Sequence, residues 1–175
     1  MGMDKASLVI NGKMLIEIVT DNLLTAGISE ITVSARDEKQ SEWIKEIFNN
    51  KIQTVVDSEE LNGIWDVLKF TLPTNNMVQI ISVDSPWFDA QAIQLLTKEF
   101  ERNPTKIGVV PWSKKGPEPL LMQIKSSEFL ENISKTKPMP LRKFVDSENY
   151  VKINYEKFSN KNALKNLNNP DDLIF

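Results

Sequence analysis

Apolar residues recur along the first two thirds of the chain with two alternating spacings. Between Met14 and Gly27 they return every three or four residues, which predicts an amphipathic helix that stops at the glycine. Shorter runs rich in β-branched residues separate the helical segments and predict strands. The predicted strands are 30–35, 53–57, 77–84 and 106–112, and the further predicted helices are 41–50, 63–72 and 90–103.

Residues 77–84, MVQIISVD, form the strongest strand pattern because they are almost continuously apolar. A run of this kind predicts a central strand with helices on both faces of the sheet. Strand and helix alternate with short connections, which is typical of right-handed, parallel α/β units. We therefore predict an α/β fold, a three-layer α/β/α sandwich with a mostly parallel, Rossmann-like sheet.

The pattern is less regular towards both ends of the chain. Residues 7–10 predict a brief extended segment, closed by the turn pair Asn11 and Gly12. No internal repeat or interdomain linker is visible, so we expect a single domain over residues 1–175. Beyond residue 114 the predicted elements are strands at 119–124 and 150–154, the second at a sheet edge, and short helices at 126–133 and 141–146.

The residue inventory limits the chemistry. Among the 175 residues there is no Cys and no His, which excludes disulfides, thiol nucleophiles and the commonest general base and metal ligand. Carboxylates, lysines, arginines, hydroxyls and a hard cation remain. These groups favour phosphoryl or nucleotidyl transfer, which needs positioning and charge neutralisation, over a serine-hydrolase or zinc-hydrolase mechanism.

Charge and hydropathy limit the partners. The net charge of -3 gives no general attraction to nucleic acid or to an anionic membrane, and we expect neither as a partner. No apolar run approaches the roughly 20 residues that span a bilayer, and the N-terminus lacks a basic-then-apolar signal sequence. These observations predict a cytoplasmic protein.

Two acids stand where predicted strands end, Asp57 and Asp84. Ligands of open parallel sheets bind at the carboxyl ends of the strands. Together with Lys5, these carboxylates would suit a nucleotide bound through Mg²⁺, which prefers oxygen ligands. An acid after a strand also commonly caps the next helix, a terminal lysine is commonly only solvated, and Gly63 fits either a helix start or close approach of a ligand. The residues alone leave these alternatives open.

Six segments follow one another along the chain: MGMDKASLVINGKMLIE, ITVSARD, VVDSEELNGIWDVL, IISVDSPWF, GPEPLLMQI and NLNNPDDL. In this order they resemble the molybdenum cofactor guanylyltransferase (MobA-like) family of nucleotidyltransferases. The first is similar to that family's R-M-G-x-D-K stretch, the fourth to its C-D-x-P-F/W metal-binding turn, and the last to its N-x-N-T-P-x-D-L. The likeness covers essentially the whole chain, and its collinear order makes it specific.

The resemblance implies a reaction and a set of roles. In that family, GMP is transferred from GTP to the terminal phosphate of molybdopterin cofactor, and pyrophosphate is released. By position, Lys5 would contact the nucleotide phosphates, and Asp57 would help to hold the nucleotide. Asp84 would coordinate Mg²⁺ and contact the nucleotide, so Lys5 and Asp84 are the predicted catalytic residues. A molybdoenzyme or another cofactor-maturation protein would be the protein partner. The residues implied on the substrate side are Gly63, Asn166 and Asn168.

Several positions depart from the family pattern and keep other functions open. Glu59 and Glu60 add negative charge where an anionic acceptor should pass, Glu118 replaces a glutamine, and Ser82-Val83 replace the residues that lead into the metal-binding acid. The alternatives are guanylyl transfer to cobinamide phosphate or phospholactate, cytidylyl transfer to molybdopterin, and a nucleotidyltransferase-like binding protein without turnover.

The family's first strand and its glycine-rich phosphate loop would lie immediately before Met1, and neither is present in the sequence. In the family that strand is central to the sheet, so the predicted fold lacks the family's first strand. We expect that the native start lies upstream and that Met1 is an internal methionine.

Overall fold

Strands and helices alternate along the chain as the sequence predicts. The computed structural model describes residues 4–57, 61, 63–74 and 76–167. The helices are α1 (Leu15–Thr25), α2 (Glu38–Ile47), α3 (Ile64–Thr71), α4 (Ala90–Glu101), α5 (Ser126–Lys135) and α6 (Leu141–Phe144). The strands are β1 (Val9–Ile10), β2 (Lys13–Met14), β3 (Thr32–Ala35), β4 (Gln53–Val56), β5 (Met77–Gln79), β6 (Gly108–Ser113), β7 (Gly116–Pro117), β8 (Gln123–Lys125) and β9 (Tyr150–Asn154). Short 3-10 turns lie at Lys5–Ser7, Pro119–Leu121 and Tyr155–Lys157.

The larger sheet has five strands in the order β5-β8-β6-β7, with β9 paired to β6. Both β5 and β6 are antiparallel to β8, so they run in the same direction, and β9 is parallel to β6. β3 and β4 form a second, parallel pair. The strand directions therefore confirm a mixed α/β fold with a parallel-rich sheet.

Helices cover both faces of the five-stranded sheet. Val109 and Val110 are neighbours on β6 and both are fully buried, but they belong to different core clusters, because successive side chains of a strand point to opposite faces. Val109 packs with residues of α1 and α4 such as Leu23 and Leu96, whereas Val110 packs with residues of α3, α5 and α6 such as Phe129. This arrangement confirms the three-layer sandwich. Within the described ranges, no helix is both long enough and apolar enough to cross a membrane.

The sheet is interrupted on one side of β5. Residues 80–83 extend β5 beyond its last residue. In this extension, the N–H groups of Ile80 and Ser82 donate to backbone carbonyls on the β8 side. The main-chain groups of residues 79, 81 and 83 therefore point to the opposite edge. In the part of the chain that the structure describes, no strand pairs with that edge. Among the described strands, β5 is consequently at an edge of the sheet rather than in its middle.

The pair β3-β4 lies across this interruption. Beyond its bonds to β4, β3 has no strand partner among the described residues. Ile31 and Ile81 pack against one core cluster, and Val33 and Val83 pack against another. Residues in and next to β3 and residues of the β5 extension therefore contact the same two core clusters, so the open edges of β3 and β5 face each other across the interruption.

The strongest predicted strand is shorter and less buried than its apolar sequence suggests. β5 covers only Met77–Gln79, and residues 78–84 are all partly rather than fully buried. The open edge explains both differences, because a ladder on one side only neither encloses the apolar side chains nor extends the strand. The sequence pattern reports the tendency to be buried, whereas burial itself depends on the neighbouring strand.

Residues 119–124, predicted as one strand, divide into two elements. Pro119–Leu121 forms a 3-10 turn, and β8 begins at Gln123. The turn is closed by a hydrogen bond from Leu121 N to Glu118 O at 3.0 Å, and proline fixes φ at its first residue. The segment therefore crosses from the end of β7 to β8 before pairing starts.

The predicted turn at Asn11 and Gly12 connects β1 and β2. Both residues have positive φ, 50° and 81°, as the favoured two-residue hairpin turn requires. This small hairpin separates the Lys5 segment from α1.

Candidate active site

An ion pair stands at the carboxyl end of β5. Lys5 Nζ lies 3.1 Å from Asp84 Oδ2, and the two side chains are 44% and 17% exposed. Ser82 Oγ donates to Asp84 Oδ1 at 2.5 Å. The carboxylate is thus held from two directions, whereas the ammonium group remains accessible to solvent. The structure brings together the two predicted catalytic residues from positions far apart in the sequence.

The segment that presents Lys5 bridges the interruption in the sheet. Asp4 caps the turn Lys5–Ser7 by accepting a hydrogen bond from a backbone N–H of that turn. Its second oxygen accepts from Gln40 Nε2 and lies 4.0 Å from Arg36 Nη2, and Arg36 directly follows β3. Asp4 therefore contacts the β3 side while Lys5 contacts the β5 side.

Arg36 also connects this edge to α2. Its Nε donates to Asp37 Oδ2 at 3.0 Å, and Asp37 caps α2 by accepting from Gln40 N at 2.8 Å. The Gln40 N–H, followed by the Arg36 guanidinium, holds the pKa of the Asp37 carboxyl below its usual value. The start of α2 therefore carries a stabilised negative charge, as the helix dipole favours.

Asp57 directly follows β4 at the same edge of the molecule. Its backbone N–H donates to Ala35 O at 2.7 Å, and its Oδ1 accepts from Ser34 Oγ. β4 is parallel to β3, so the carboxyl end of β4 lies beside the carboxyl end of β3. Asp4, the residue before Lys5, contacts Arg36 at this end of β3. In the described part of the chain no hydrogen bond or ion pair joins Asp57 to Asp84. The two acids share an edge without direct contact.

The residues predicted on the substrate side fall in different places. Gly63 precedes α3 with φ of 94°, a conformation that favours glycine, and a Cβ there would meet open space. Asn166 lies against the Asp84 turn, since Ser85 Oγ donates to its Oδ1 at 3.1 Å. Asn168 and the acids at 59 and 60 lie outside the described residues.

The donor set around Asp84 fits a Mg²⁺ ion that is shared with a substrate. The described residues contain no cluster of three or more Asp, Glu, His or Cys side chains that could enclose a metal ion. Mg²⁺ usually keeps several waters and is held by one or two carboxylates together with substrate phosphates. Asp84, with its partly exposed oxygens, fits that mode of binding and does not form a closed metal cage.

A further ion pair, between Arg142 and Glu118, has no local signal in the sequence. Arg142 Nη2 lies 2.9 Å from Glu118 Oε2, and the Glu118 side chain is only 13% exposed. Ser113 Oγ donates to its other oxygen at 2.7 Å. The sequence marks Glu118 as a departure from the family pattern, but its partner on α6 is remote in sequence, so no local pattern points to it. Arg142 balances the added negative charge.

A parallel-rich α/β sheet with an acid and a lysine at its carboxyl edge is the arrangement of α/β nucleotide-binding proteins. The chain belongs to the MobA-like NTP transferase domain family, whose model matches residues 1–151. This membership confirms the resemblance that the motifs indicate.

A curated relative from Methanothermobacter thermautotrophicus is named a probable molybdenum cofactor guanylyltransferase. It is 27% identical over 125 residues, which are 69% of this chain and 62% of the relative. The match therefore spans less than two thirds of the relative's own length.

Solved structures resemble the fold over most of the chain. Molybdopterin-guanine dinucleotide biosynthesis protein A from Archaeoglobus fulgidus superposes with a TM-score of 0.74 at 24% identity, covering 98% of this chain and 88% of that one. A CMP:2-keto-3-deoxy-manno-octonic acid synthetase, solved with CTP, gives a TM-score of 0.66 at 14% identity over 86% of this chain and 82% of that one. At these identities the likeness establishes the fold.

Proposed function

We propose that this chain transfers GMP from GTP to the phosphate of molybdopterin cofactor. An acceptor phosphate oxygen forms a bond to the α-phosphorus of GTP, the bond between the α-phosphorus and the bridging oxygen breaks, and pyrophosphate leaves. The observation that carries the proposal is the Lys5–Asp84 pair at the carboxyl edge of β5, in a chain of the MobA-like family.

The chain's own residues would bind and orient the nucleotide. Asp84 would hold Mg²⁺, which when bound offsets negative charge on the triphosphate and on departing pyrophosphate. The Lys5 side chain is 44% exposed, so its ammonium can turn from Asp84 to a phosphate oxygen. Asp57, beside it on the same edge, would help to hold the nucleotide, and Gly63 would line the acceptor side.

The reaction suits a chain without histidine. The attacking phosphate oxygen is already an anion, so no side chain must remove a proton from it. Catalysis then depends on alignment and on offsetting charge, which Lys5 and the cation at Asp84 would provide. The residue inventory is consistent with this requirement.

Two alternative functions fit the same scaffold. The fold likeness to an enzyme solved with CTP favours a cytidylyl or other nucleotidyl transfer to a different phosphorylated acceptor, such as cobinamide phosphate or phospholactate. The other alternative is a binding protein that has kept the scaffold and lost turnover. Calorimetry with GTP, CTP and ATP in the presence of Mg²⁺ distinguishes the proposed function from both alternatives. A preference for CTP would favour cytidylyl transfer, and binding of none of the three nucleotides would favour the binding protein.

The test of the proposal is Asp84→Asn. We expect Mg²⁺-dependent formation of the guanine dinucleotide to fall by roughly 100-fold or more, because the amide cannot replace the anionic metal ligand. The matched control is Asp146→Asn, which breaks an exposed Lys152–Asp146 pair of 2.6 Å at the amino end of β9. A turnover in Asp84→Asn equal to that of the control would refute the role of Asp84.

A further inference from the structure

The turn that carries Asp84, residues 84–88, is supported from outside by α1. Asn22 Nδ2 lies 3.2 Å from Pro86 O and 3.4 Å from Phe88 O. Phe88 is fully buried, which fixes the far end of the turn in the core. One side-chain amide therefore satisfies two carbonyl groups of a turn that is distant in the sequence.

A second support comes from the chain that follows β9. Asn160 Nδ2 donates to Trp87 O at 2.9 Å and lies 3.2 Å from Asp89 Oδ2. Asp89 in turn caps α4 by accepting from Ala92 N at 2.9 Å. Asn160 thus connects the Asp84 turn to the start of a buried helix, so the turn and α4 are held as one unit.

A third support acts at Asp84 itself. Leu167 N donates to Asp84 O at 2.7 Å, and Leu167 is 3% exposed. The remaining carbonyl, Ser85 O, accepts from Phe88 N at 3.2 Å. Every backbone carbonyl of residues 84–88 therefore has a donor, and most of these donors come from outside the turn. The backbone acceptors of this irregular segment are thus all paired, as buried backbone polar groups require.

We infer that Asn22 and Asn160 are positioning residues, which fix the Asp84 carboxylate in the orientation that a cation requires. The inference rests on the proposed function, since it assumes that Asp84 binds the cation. Mg²⁺ requires near-octahedral geometry, and the groups that orient metal ligands commonly change metal affinity 10- to 100-fold when they are replaced. An unsupported turn would let the carboxylate rotate away from this geometry.

The test uses Asn22→Asp and Asn160→Asp, which keep the side-chain shape but replace the donor by an acceptor. Asn132→Asp is the matched control, because Asn132 Nδ2 also donates to a backbone carbonyl, Glu128 O, at 2.7 Å but on α5. Mn²⁺ replaces Mg²⁺, and its dissociation constant with GTP is measured by electron paramagnetic resonance. We expect about 10-fold weaker Mn²⁺ binding for the two test variants and less than a twofold change for the control.

The direction of the change separates geometry from charge. An added carboxylate near Asp84 would by itself attract Mn²⁺ and strengthen binding, so weaker binding reports a misplaced ligand. Unchanged Mn²⁺ affinity in both test variants would overturn the inference, and the two asparagines lie on different segments, so one variant remains if the other does not fold. An equal loss of affinity in Asn132→Asp would also overturn it, because the effect would then follow general stability.

A metal-free measurement distinguishes failure of this inference from failure of the proposed function. Ser85 N donates to Ser82 O at 3.1 Å, which ties the start of the turn to the residues before it, so its amide hydrogen exchange reports opening of the turn. If the unmodified chain binds no Mn²⁺ with GTP, the proposed function fails. Faster exchange at Ser85 in the test variants would still support the positioning role, and unchanged exchange would overturn it.

Discussion

The five-stranded part of the sheet and the two-stranded part, β3 with β4, are built differently. On β6, residues 108–111 are all buried; residues 108 and 109 pair with both β8 and β9, and residues 110 and 111 pair with β9. In the two-stranded part only Ala35 is buried, and β4 has no fully buried residue. The cluster beneath it is small, with Ala6, Ile16, Ala35 and Ile44 as its buried members.

The difference shows that neighbours, more than composition, decide how deeply a strand is buried. β4 and the extension of β5 are as rich in β-branched residues as β6, yet they remain only partly buried beside an open edge. The candidate site lies at the junction of the two parts. Asp84 belongs to the five-stranded part and Asp57 to the two-stranded part, while the segment of Asp4 and Lys5 contacts both.

The largest expected effect is that of Gly108→Ala in the five-stranded part. A Cβ at this position would lie 2.6 Å from Gln123 O and 2.9 Å from Ile124 Cγ2, and the backbone oxygen cannot move without breaking the sheet. We expect the free energy of unfolding to fall by about 3 kcal/mol, at the upper end of usual overpacking costs. Urea denaturation measures it, and a loss below about 1 kcal/mol would contradict close packing of β6 between its neighbours.

A paired substitution, Val109→Ala and Val33→Ala, compares the two parts directly. Val109 is fully buried, whereas Val33 is only partly buried. Removing two buried methyl groups costs about 2 kcal/mol at the first site, and we expect about half of that at the second. Both losses are measured by urea denaturation under the same conditions. Equal losses would mean that the two-stranded part is as tightly packed as the five-stranded part.

The smallest expected effect is a gain of stability from Tyr150→Phe. The Tyr150 hydroxyl is buried without a hydrogen-bond partner in the described structure, and leaving such a group unpaired is unfavourable. We expect the variant to be more stable by about 1 kcal/mol, measured by thermal or urea unfolding at neutral pH. A less stable variant would indicate that the hydroxyl has a partner.

The same residue predicts how stability depends on alkaline pH. Burial raises the pKa of Tyr150 above its value in the unfolded chain. The contribution of the neutral Tyr150 hydroxyl to the free energy of unfolding is therefore constant below about pH 10, the ordinary pKa of tyrosine. Stability falls as pH rises further, since Tyr150 ionises first in the unfolded chain. Tyr150→Phe should lack this part of the alkaline loss. Absorbance at 295 nm should show one of the two tyrosines titrating only on unfolding.

Much of the fold was predictable because each element carries its own periodicity. The helix from Met14 towards Gly27 was correct as α1, and 53–57 was correct as β4 followed by Asp57. The extent of β5 was not predictable, since it depends on a neighbouring strand. The break within 119–124 was missed as well, because a closing bond to Glu118 outweighed the apolar pattern.

The candidate site was predictable only in part. The rule that ligands bind at strand ends placed Asp57 and Asp84 on one edge, and the family motif placed Lys5 there. The supports of the Asp84 turn were not visible, because Asn22 and Asn160 are remote in sequence and asparagine ordinarily indicates a turn of its own. The roles assigned to the site residues are predictions, and these residues are Lys5, Asp57, Gly63, Asp84, Asn166 and Asn168.

The bond from Leu167 N to Asp84 O has a consequence for synthesis of the protein. Residue 84 leaves the ribosome long before residue 167, and β9, which is parallel to β6, also arrives late. A nascent chain therefore carries Asp84 on a turn that lacks its last support. The cation site proposed at Asp84 would therefore gain this support only after residue 167 has been synthesised.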